Sequence, residues 1–201
     1  KYQDHYLILL RFLYLVKRKD NIRAIASDIA EGPVEAAKEN IKREKLDKEI
    51  EVRLGNGLDT YSDEVDTIII SGMGGRNIIG IFKNNLEVLK KVKTIIVSPN
   101  NYQVDVKKFL CKNGFYIEDE EFVKDRKFIY QIIICKRGHK KYNKKEYFLG
   151  PVFLQKKGKL FTEYYKRELL SREILLKVLP KNYMMKRYLT KKEIKMIESE
   201  L

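Results

Sequence analysis

The segment that decides the fold is DTIIISGMGGRNIIGIF, residues 66–82, in which an apolar run gives way abruptly to glycine. Residues 67–70 are typical of a buried strand, and after Arg76 the apolar residues return at helical spacing. Between them, three of the 11 glycines fall within four positions, at Gly72, Gly74 and Gly75. Strand, glycine turn and helix form one unit of a parallel sheet. Since three glycines exceed what helix–strand packing usually requires, we expect a ligand at this joint.

The flanking sequence repeats this alternation of strands and helices. Strands are predicted at 22–28, 49–57 and 93–101, and helices at 5–17, 32–46, 76–91 and 104–114. Residues 115–138 are predicted to form two long strands joined by a tight turn near Asp125 and Arg126, which adds an antiparallel edge. The sequence therefore predicts an α/β fold around a largely parallel sheet.

The net charge of +14 is concentrated in the last third of the chain. Residues 1–135 carry 23 Lys and Arg against 21 Asp and Glu, whereas residues 136–201 carry 19 against 7. We divide the chain into a sheet domain, 1–138, and a basic helical domain, 139–201, whose apolar spacing and turn signal at 180–182 predict a helical hairpin. A basic surface attracts a polyanion, usually nucleic acid. The candidate RNA-binding residues are Lys140, Lys141, Lys144, Lys145, Lys156, Lys157 and Lys159.

Composition excludes several classes of protein. Cys111 and Cys135 each lie inside an apolar pattern, which indicates reduced core residues rather than a disulfide framework. His5 and His139 form no metal-ligand spacing, so no metal is expected. No apolar run reaches the length of a membrane span, and no secretory signal is visible. We therefore expect a cytoplasmic monomer with no membrane partner.

Ligands of parallel sheets bind at the carboxyl ends of the strands, which here means four short stretches. Asp28 ends one strand, where a carboxylate can accept ribose hydroxyls or cap the next helix. Asn56 and Gly57 follow another strand, where they can contact an adenine or form an ordinary turn. The other two stretches are 71–75 and 98–100. The sequence contains neither a G-x-x-x-x-G-K-S/T phosphate loop nor a G-x-G-x-x-G fingerprint, which disfavours an NTPase and a NAD-dependent oxidoreductase.

A series of segments between residues 4 and 153 resembles, in order along the chain, the bacterial TrmK family: ASDIAEGPVEAAKENI, VRLGNGLDTY, DTIIISGMGG, VSPNNYQVDVKKFL, FIYQIII and FLGPVFL. That family comprises tRNA (adenine-N1)-methyltransferases, which use S-adenosyl-L-methionine to methylate the adenine at tRNA position 22. The resemblance implies a Rossmann-like class I methyltransferase sheet followed by a coiled-coil-like C-terminal hairpin. It also implies S-adenosyl-L-methionine as cofactor and tRNA as partner.

The resemblance assigns roles to individual residues. Asp28 would contact the cofactor ribose, and Asn56 and Gly57 would lie beside its adenine. The full set of implied cofactor-binding residues is Asp4, His5, Asp28, Ile29, Asn56, Gly57, Ser71, Gly72, Met73 and Gly74. The residues nearest the chemistry would be Asp4, Gly72, Met73 and Asn100, with Pro99 and Tyr130 toward the substrate.

Two features depart from the family pattern. The family places a strand and a glycine turn before its Asp-His pair, whereas Asp4 and His5 stand at the start of this sequence. We therefore expect that an N-terminal segment precedes the residues given. The family usually has Asp where Asn56 stands, and the amide oxygen of Asn still accepts a hydrogen bond from an amino group.

The implied reaction needs positioning more than acid–base catalysis, because N1 of adenine attacks through a neutral lone pair. Orientation of the reactants can contribute on the order of 7–11 kcal/mol. Backbone carbonyls at 72–74 and the Asp4 carboxylate would stabilise the positive charge that moves onto the base, and Tyr102 or Tyr130 would stack on it or serve only in packing. Two alternatives stay open: an RNA-binding protein with a degenerate cofactor site, and a methyltransferase that acts on another RNA or on protein.

Overall fold

The computed structural model of the chain describes residues 22–61, 63 and 65–201. Its strands are β1 Ala24–Asp28, β2 Ile50–Leu54, β3 Thr67–Ser71, β4 Thr94–Ser98, β5 Phe115–Asp125 and β6 Phe128–Arg137. Its helices are α1 Glu31–Arg43, α2 Gly75–Asn84, α3 Leu86–Lys91, α4 Gln103–Lys112, α5 Lys144–Leu149, α6 Pro151–Lys156, α7 Lys159–Val178 and α8 Met184–Glu198. The helix predicted at 5–17 lies outside the described residues.

The strands form two groups, and both contain parallel pairs. β1 pairs in parallel with β2, and the second group has the order β3-β4-β6-β5. Within the second group β3 and β4 are parallel, whereas β6 runs antiparallel to both β4 and β5. The turn between β5 and β6 contains Arg126 in the left-handed region, with a φ of 50°. The predicted α/β fold with an antiparallel edge is therefore confirmed.

The main core lies between the four-stranded group and helices α2 and α4. Ile78 and Phe82 of α2 and Val106 and Leu110 of α4 are fully buried against alternate residues of the strands, among them Ile95, Val97, Ile133 and Cys135. Burying a side chain of this size contributes roughly 1.5–3 kcal/mol. Cys135 is thus a core residue, and its burial raises the pKa of the thiol far above its ordinary range, as expected for an unreactive cysteine.

The segment after β2 joins the β1–β2 pair to this core. Leu58 and Tyr61 pack against it. A Cβ atom built on Gly57 would lie 3.0 Å from Ile81 Cγ2, so this loop also touches α2. The end of β2 and the helix that follows β3 are consequently neighbours in space.

A short helix begins within the lysine-rich stretch that follows residue 138. The Asn143 side chain accepts a hydrogen bond from the backbone N–H of Glu146, and the Glu146 carboxylate accepts one from the N–H of Asn143, at 3.0 and 2.7 Å. This reciprocal capping box begins α5. The sequence carries the signal for this helix start as Asn-x-x-Glu at 143–146.

The predicted helical hairpin is present as α7 and α8. Arg172 of α7 pairs with Glu168 on its own helix at 2.5 Å and with Glu193 of α8 at 2.9 Å. Arg187 of α8 donates to the carbonyl oxygens of Leu176 and Leu179, at 2.8 and 2.6 Å, and so completes the end of α7. These contacts hold the two helices antiparallel.

An aromatic cluster attaches the helices to the sheet. The Phe122 ring of β5 stacks on Phe153 of α6 with 3.9 Å between centroids, and its edge meets Tyr165 of α7. Phe153, Phe161 and Tyr165 are almost completely buried. The base of the hairpin therefore shares a hydrophobic core with β5.

A buried ion pair lies beside this cluster. Lys107 of α4 and Glu120 of β5 are both fully buried, with Nζ and Oε1 2.5 Å apart. Neither of these two atoms makes an aligned hydrogen bond in the described part of the chain, so charge attraction holds them together. The other carboxylate oxygen, Oε2, accepts from the N–H of Val152 at 2.9 Å, at the start of α6. One carboxylate thus connects α4, β5 and α6.

Replacing Glu120 by Ala is expected to lower the free energy of unfolding by about 3–5 kcal/mol, because the Lys107 ammonium is left buried without a partner. Urea unfolding followed by circular dichroism measures this loss. The double variant Lys107→Met/Glu120→Leu should recover much of it, since no charge stays buried.

Glu87→Ala is the matched control, because Glu87 pairs with Lys90 on the surface of α3, where both side chains are mostly exposed. Its unfolding midpoint should match the parent protein, since exposed pairs contribute little. A Glu120→Ala variant no less stable than Glu87→Ala would contradict the structural role given to the buried pair.

Candidate active site

The loops after β3 and β4 lie against each other because the two strands end in register, Ser71 opposite Ser98. The backbone N–H of Asn100 donates to the carbonyl oxygen of Met73 at 2.9 Å, and its side-chain Nδ2 donates to that of Gly72 at 3.0 Å. The N–H of Gly75 donates to Asn101 Oδ1 at 3.0 Å. The predicted site residues Gly72, Met73 and Asn100 are therefore brought together in one hydrogen-bonded unit.

Two of the three glycines at this joint have a structural reason. Gly72 has a φ of 72°, a conformation that favours glycine. A Cβ atom on Gly75 would lie 2.5 Å from the carbonyl oxygen of Asn101 and 3.0 Å from Val106 Cγ2. Close packing thus accounts for Gly75, and the argument from glycine number alone overstates the case for a ligand.

A second group of predicted residues surrounds the ends of β1 and β2. Asp28 is exposed, and its Oδ1 accepts from the N–H of Ala30 at 2.9 Å. Ala30, not Asp28, is the N-cap of α1, and no side chain caps that helix. Ser27 Oγ donates to the carbonyl oxygen of Gly57 at 3.3 Å, which brings the two strand ends together. The Asp28 carboxylate is thus held in place with its second oxygen directed at no partner among the described residues.

Several other predicted residues have clear positions. Ile29 and Asn56 are exposed beside Asp28 and Gly57, whereas Met73 packs partly against the main core. Tyr130 lies three residues beyond the last β4–β6 pair, Val97 with Ile133, on the side where β4 ends. Asp4 and His5 lie outside the described residues.

A cation lies next to the β3–β4 loops that the sequence analysis did not single out. The guanidinium carbon of Arg76 lies 4.3 Å from the centroid of the Tyr102 ring. Tyr102 is 42% exposed and has a φ of 54°, a rare backbone conformation for a non-glycine residue. Arg76 forms no ion pair with any described side chain. Arg76 directly follows the glycine joint in the sequence, and this position could have identified it as a candidate site residue.

The predicted RNA-binding lysines fall into two sets. Lys145 and Lys157 both pair with Glu200, and Lys156 pairs with Asp119 at 2.6 Å. Lys140, Lys141, Lys144 and Lys159 are exposed and form no ion pair with the residues that the structure describes. Lys140 and Lys141 border a cavity of about 370 Å³ between β5 and helices α5 and α6. Three of the seven lysines thus already have acidic partners.

The described residues form neither a metal-binding cluster nor a membrane-spanning helix. Over residues 22–61, 63 and 65–201, no three His, Cys, Asp or Glu side chains are grouped so that they could hold a metal ion. Within the same ranges, no helix has both the length and the apolar character needed to cross a membrane.

The chain is similar to proteins of known family over nearly its whole length. Residues 4–199 match the model of the TrmK family, described as tRNA (adenine(22)-N(1))-methyltransferase. The Bacillus subtilis protein of that name is 28% identical over 153 residues, which is 73% of this chain and 64% of the relative. The aligned part thus spans slightly less than two thirds of the Bacillus subtilis protein.

Solved structures show the same fold. A Streptococcus agalactiae protein of the NADB-Rossmann superfamily is 33% identical, with a TM-score of 0.85 over 94% of this chain and 84% of that one. A Streptococcus pneumoniae protein in complex with S-adenosyl-L-methionine is 29% identical, with a TM-score of 0.84 over 94% of this chain and 86% of that one. The Rossmann-like fold is therefore shown.

Gly75→Ala is expected to destabilise the protein by about 1–3 kcal/mol, because the added Cβ overlaps the Asn101 carbonyl oxygen. Gly80→Ala, in the same helix, is the control, since nothing lies within 4 Å of its Cβ position. The control should gain about 0.5–1 kcal/mol from helix propensity. Thermal unfolding compares the two variants, and equal midpoints would contradict the close packing of the two loops.

Proposed function

Since this chain belongs to the TrmK family of tRNA (adenine(22)-N(1))-methyltransferases, we propose that it methylates N1 of an adenine in tRNA, at position 22 in the D-arm region, with S-adenosyl-L-methionine as donor. The observation that carries the proposal is the convergence of the β3 and β4 loops around Gly72, Met73 and Asn100, on the strand ends where such sheets bind ligands. Relatives named as tRNA methyltransferases support the substrate class.

The described residues fit the proposed cofactor chemically. Asp28 offers a carboxylate oxygen that can accept from ribose hydroxyls. Asn56 and Gly57 lie in the neighbouring loop, where the exposed amide oxygen of Asn56 suits the edge of an adenine. The remaining candidates on the described part of the chain are Ile29, Ser71, Gly72, Met73 and Gly74. When bound, the cofactor supplies an electrophilic methyl group on a sulfonium.

The contribution of the β3–β4 loops to the reaction is positioning. The carbonyl oxygens of Gly72 and Met73 are each fixed by one hydrogen bond from Asn100, and each keeps a second lone pair. Preorganised carbonyl dipoles of this kind stabilise positive charge on an alkylated base. Asn100 therefore acts on the reaction by holding these carbonyls. N1 lies on the Watson–Crick edge, so the base must leave its pair, which costs a few kcal/mol.

Arg76, which directly follows the glycine joint, is a candidate to contact the RNA backbone. Arg76 is exposed, its guanidinium carbon lies 4.3 Å from the Tyr102 ring centroid, and it has no acidic partner among the described residues. An arginine in this state can bind a phosphate through two N–H groups. We infer that it contacts a phosphate near the methylated adenine.

In this proposal the two predicted domains bind different parts of the reactants. Residues 1–138 carry the cofactor and the reacting base, and residues 139–201 contact the tRNA body. The exposed lysines Lys140, Lys141, Lys144 and Lys159 are the better candidates for phosphate contacts, because Lys145, Lys156 and Lys157 are already paired. Since tRNA is the proposed substrate, we propose that the protein acts in the cytoplasm.

The direct test is methylation of total tRNA with labelled S-adenosyl-L-methionine, followed by nucleoside mass spectrometry. We expect N1-methyladenosine, and an adenine-22 substitution in the tRNA should abolish it. Transfer of label to another nucleoside would reassign the acceptor, whereas cofactor binding without any transfer would favour the RNA-binding alternative.

Asp28→Ala is expected to weaken cofactor binding about tenfold or more, because hydrogen bonds to a charged group contribute roughly 1.5–3 kcal/mol. Glu35→Ala is the control, since this carboxylate lies on the exposed face of α1 and pairs only with Lys38 in the described structure. Calorimetry with S-adenosyl-L-methionine measures both. Equal affinities for the two variants would remove Asp28 from the cofactor site.

A further inference from the structure

The edge of the sheet that carries the candidate active site also bears a projecting pair of strands. β4 pairs with β6 only as far as Val97 with Ile133, whereas β6 begins at Phe128. Because the two strands are antiparallel, β6 extends about 16 Å beyond this last pair, on the side where β4 ends and the Asn100 loop follows. β5 pairs with the whole extension. Residues 121–132 therefore form a two-stranded arm, the β arm, next to the candidate site.

Helix α7 holds the β arm in place. Lys124 Nζ lies 2.7 Å from Glu163 Oε1 of α7. Arg167 of α7 donates to the carbonyl oxygen of Lys127, in the turn between the two strands, at 2.6 Å. The Phe122 ring belongs to the aromatic cluster that joins β5 to the helices. An ion pair, a hydrogen bond and ring packing thus fix the position of the arm.

The opposite face of the β arm presents aromatic rings. Phe122, which packs on α7, pairs across the arm with the buried Gln131. Phe128 lies three residues before Gln131 and so on the other face of β6, where it is 50% exposed. Tyr130 shares this face, with 6.3 Å between its ring centroid and that of Phe128. The arm is therefore anchored on one face and carries an exposed ring on the other.

Two cations flank the exposed ring. Arg126 and Lys127 are both exposed, and neither forms an ion pair with a residue that the structure describes. Lys127 Nζ lies 5.3 Å from the centroid of the Phe128 ring. Aromatic rings that stack on bases and cations that bind the backbone are the features by which proteins hold unpaired nucleotides. The same charges disfavour a second β arm as the occupant, because like charges would meet.

A base that is methylated at N1 must first leave its pair and its stack, and its departure opens a gap between the neighbouring bases. We propose that the β arm fills this gap, with Phe128 stacked in the position that the adenine leaves and with Arg126 and Lys127 on the adjacent phosphates. Apolar side chains that enter between bases stabilise distorted duplexes in the same way. This inference rests on the proposed function and deepens it, because it names the residue that makes a paired adenine accessible.

The test of stacking uses tRNA with 2-aminopurine, a fluorescent adenine analogue, at the methylated position, since its fluorescence rises when the base leaves the stack. Phe128→Ala should reduce this rise about threefold or more and slow single-turnover methylation of ordinary tRNA about tenfold. Phe128→Trp keeps a ring and should behave like the parent. Leu86→Ala is the control, because it removes a side chain that is 43% exposed at the start of α3, which leads into the opposite end of β4.

A second substrate separates base opening from damage to the protein. In a tRNA that has an abasic site opposite the acceptor adenine, no pair has to be broken, so Phe128→Ala should methylate it within about twofold of the parent rate. Calorimetry with S-adenosyl-L-methionine should give the parent affinity for every variant, as expected if the cofactor site is intact.

The phosphate contacts are tested by the salt dependence of tRNA affinity. Arg126→Gln/Lys127→Gln should lower the slope of log affinity against log salt by about 1–2. Lys42→Gln/Lys48→Gln is the matched control, since both lysines are exposed, form no ion pair in the described structure, and lie at the end of α1 and in the loop before β2. Equal slopes for the two variants would overturn the assignment of these cations to phosphates.

Three outcomes contradict the role of Phe128, and a fourth contradicts more. If the parent methylates tRNA and Phe128→Ala matches Leu86→Ala in fluorescence and rate, the stacking role is wrong while the proposed function stands. Equal slowing on the paired and the abasic substrate would also exclude base opening. Dissociation of a parent dimer by Phe128→Ala, with fluorescence unchanged, would make the arm a contact between copies. If the parent methylates neither substrate, the proposed function fails as well.

Discussion

The buried pair of Lys107 and Glu120 constrains how the sheet and the helices pack, because neither charge can stay there without the other. Removing two charges from water costs several kcal/mol per ion, and only close mutual contact offsets this cost. The contact exists only when α4, β5 and the start of α6 are all in place, because Glu120 also accepts from the N–H of Val152. Gly150 leaves the room that this approach needs, since a Cβ there would lie 2.5 Å from Glu120 Oε2. The helical region is thereby tied to the same helix that follows the Asn100 loop.

Through this connection, the candidate active site and the hairpin are both attached to helix α4. Asn100 and Asn101 hold the β3–β4 loops together, and α4 begins two residues later and carries Lys107. The Phe122 ring stacks on Phe153 of α6 and also contacts Tyr165 of α7, so the packing extends from the sheet to the hairpin. In our proposal, the base to be methylated and the tRNA body contact two surfaces that are joined by packed and buried groups rather than by a flexible linker.

Much of this architecture could be predicted from the sequence, because the spacing of apolar residues and the turn-forming residues between them are local signals. The β-branched run before Ser71, the Pro180 turn and the strand pair around Arg126 each lie where the pattern placed them. The sequence pattern failed to predict the role of residues whose partners lie far away in the sequence. Lys107 stands in an ordinary helical sequence, and only the fold shows that its charge is buried. Gly75 suggested a ligand, although the carbonyl of Asn101 is what it accommodates. Lys145 and Lys157 suggested RNA, although both form ion pairs with Glu200.

The clamp of Glu200 on Lys145 and Lys157 has a mechanical consequence. It sits at the base of α7, a helix of 20 residues and so about 30 Å long. If a helix of that length tilts by about 5° at its base, its free end moves by about 2.6 Å. A shift of this size is enough to break the contact of a lysine with a phosphate. Because the aromatic cluster also anchors the base of α7, that cluster and the Glu200 ion pairs together set the orientation of the hairpin, and with it the position of the lysines at its far end.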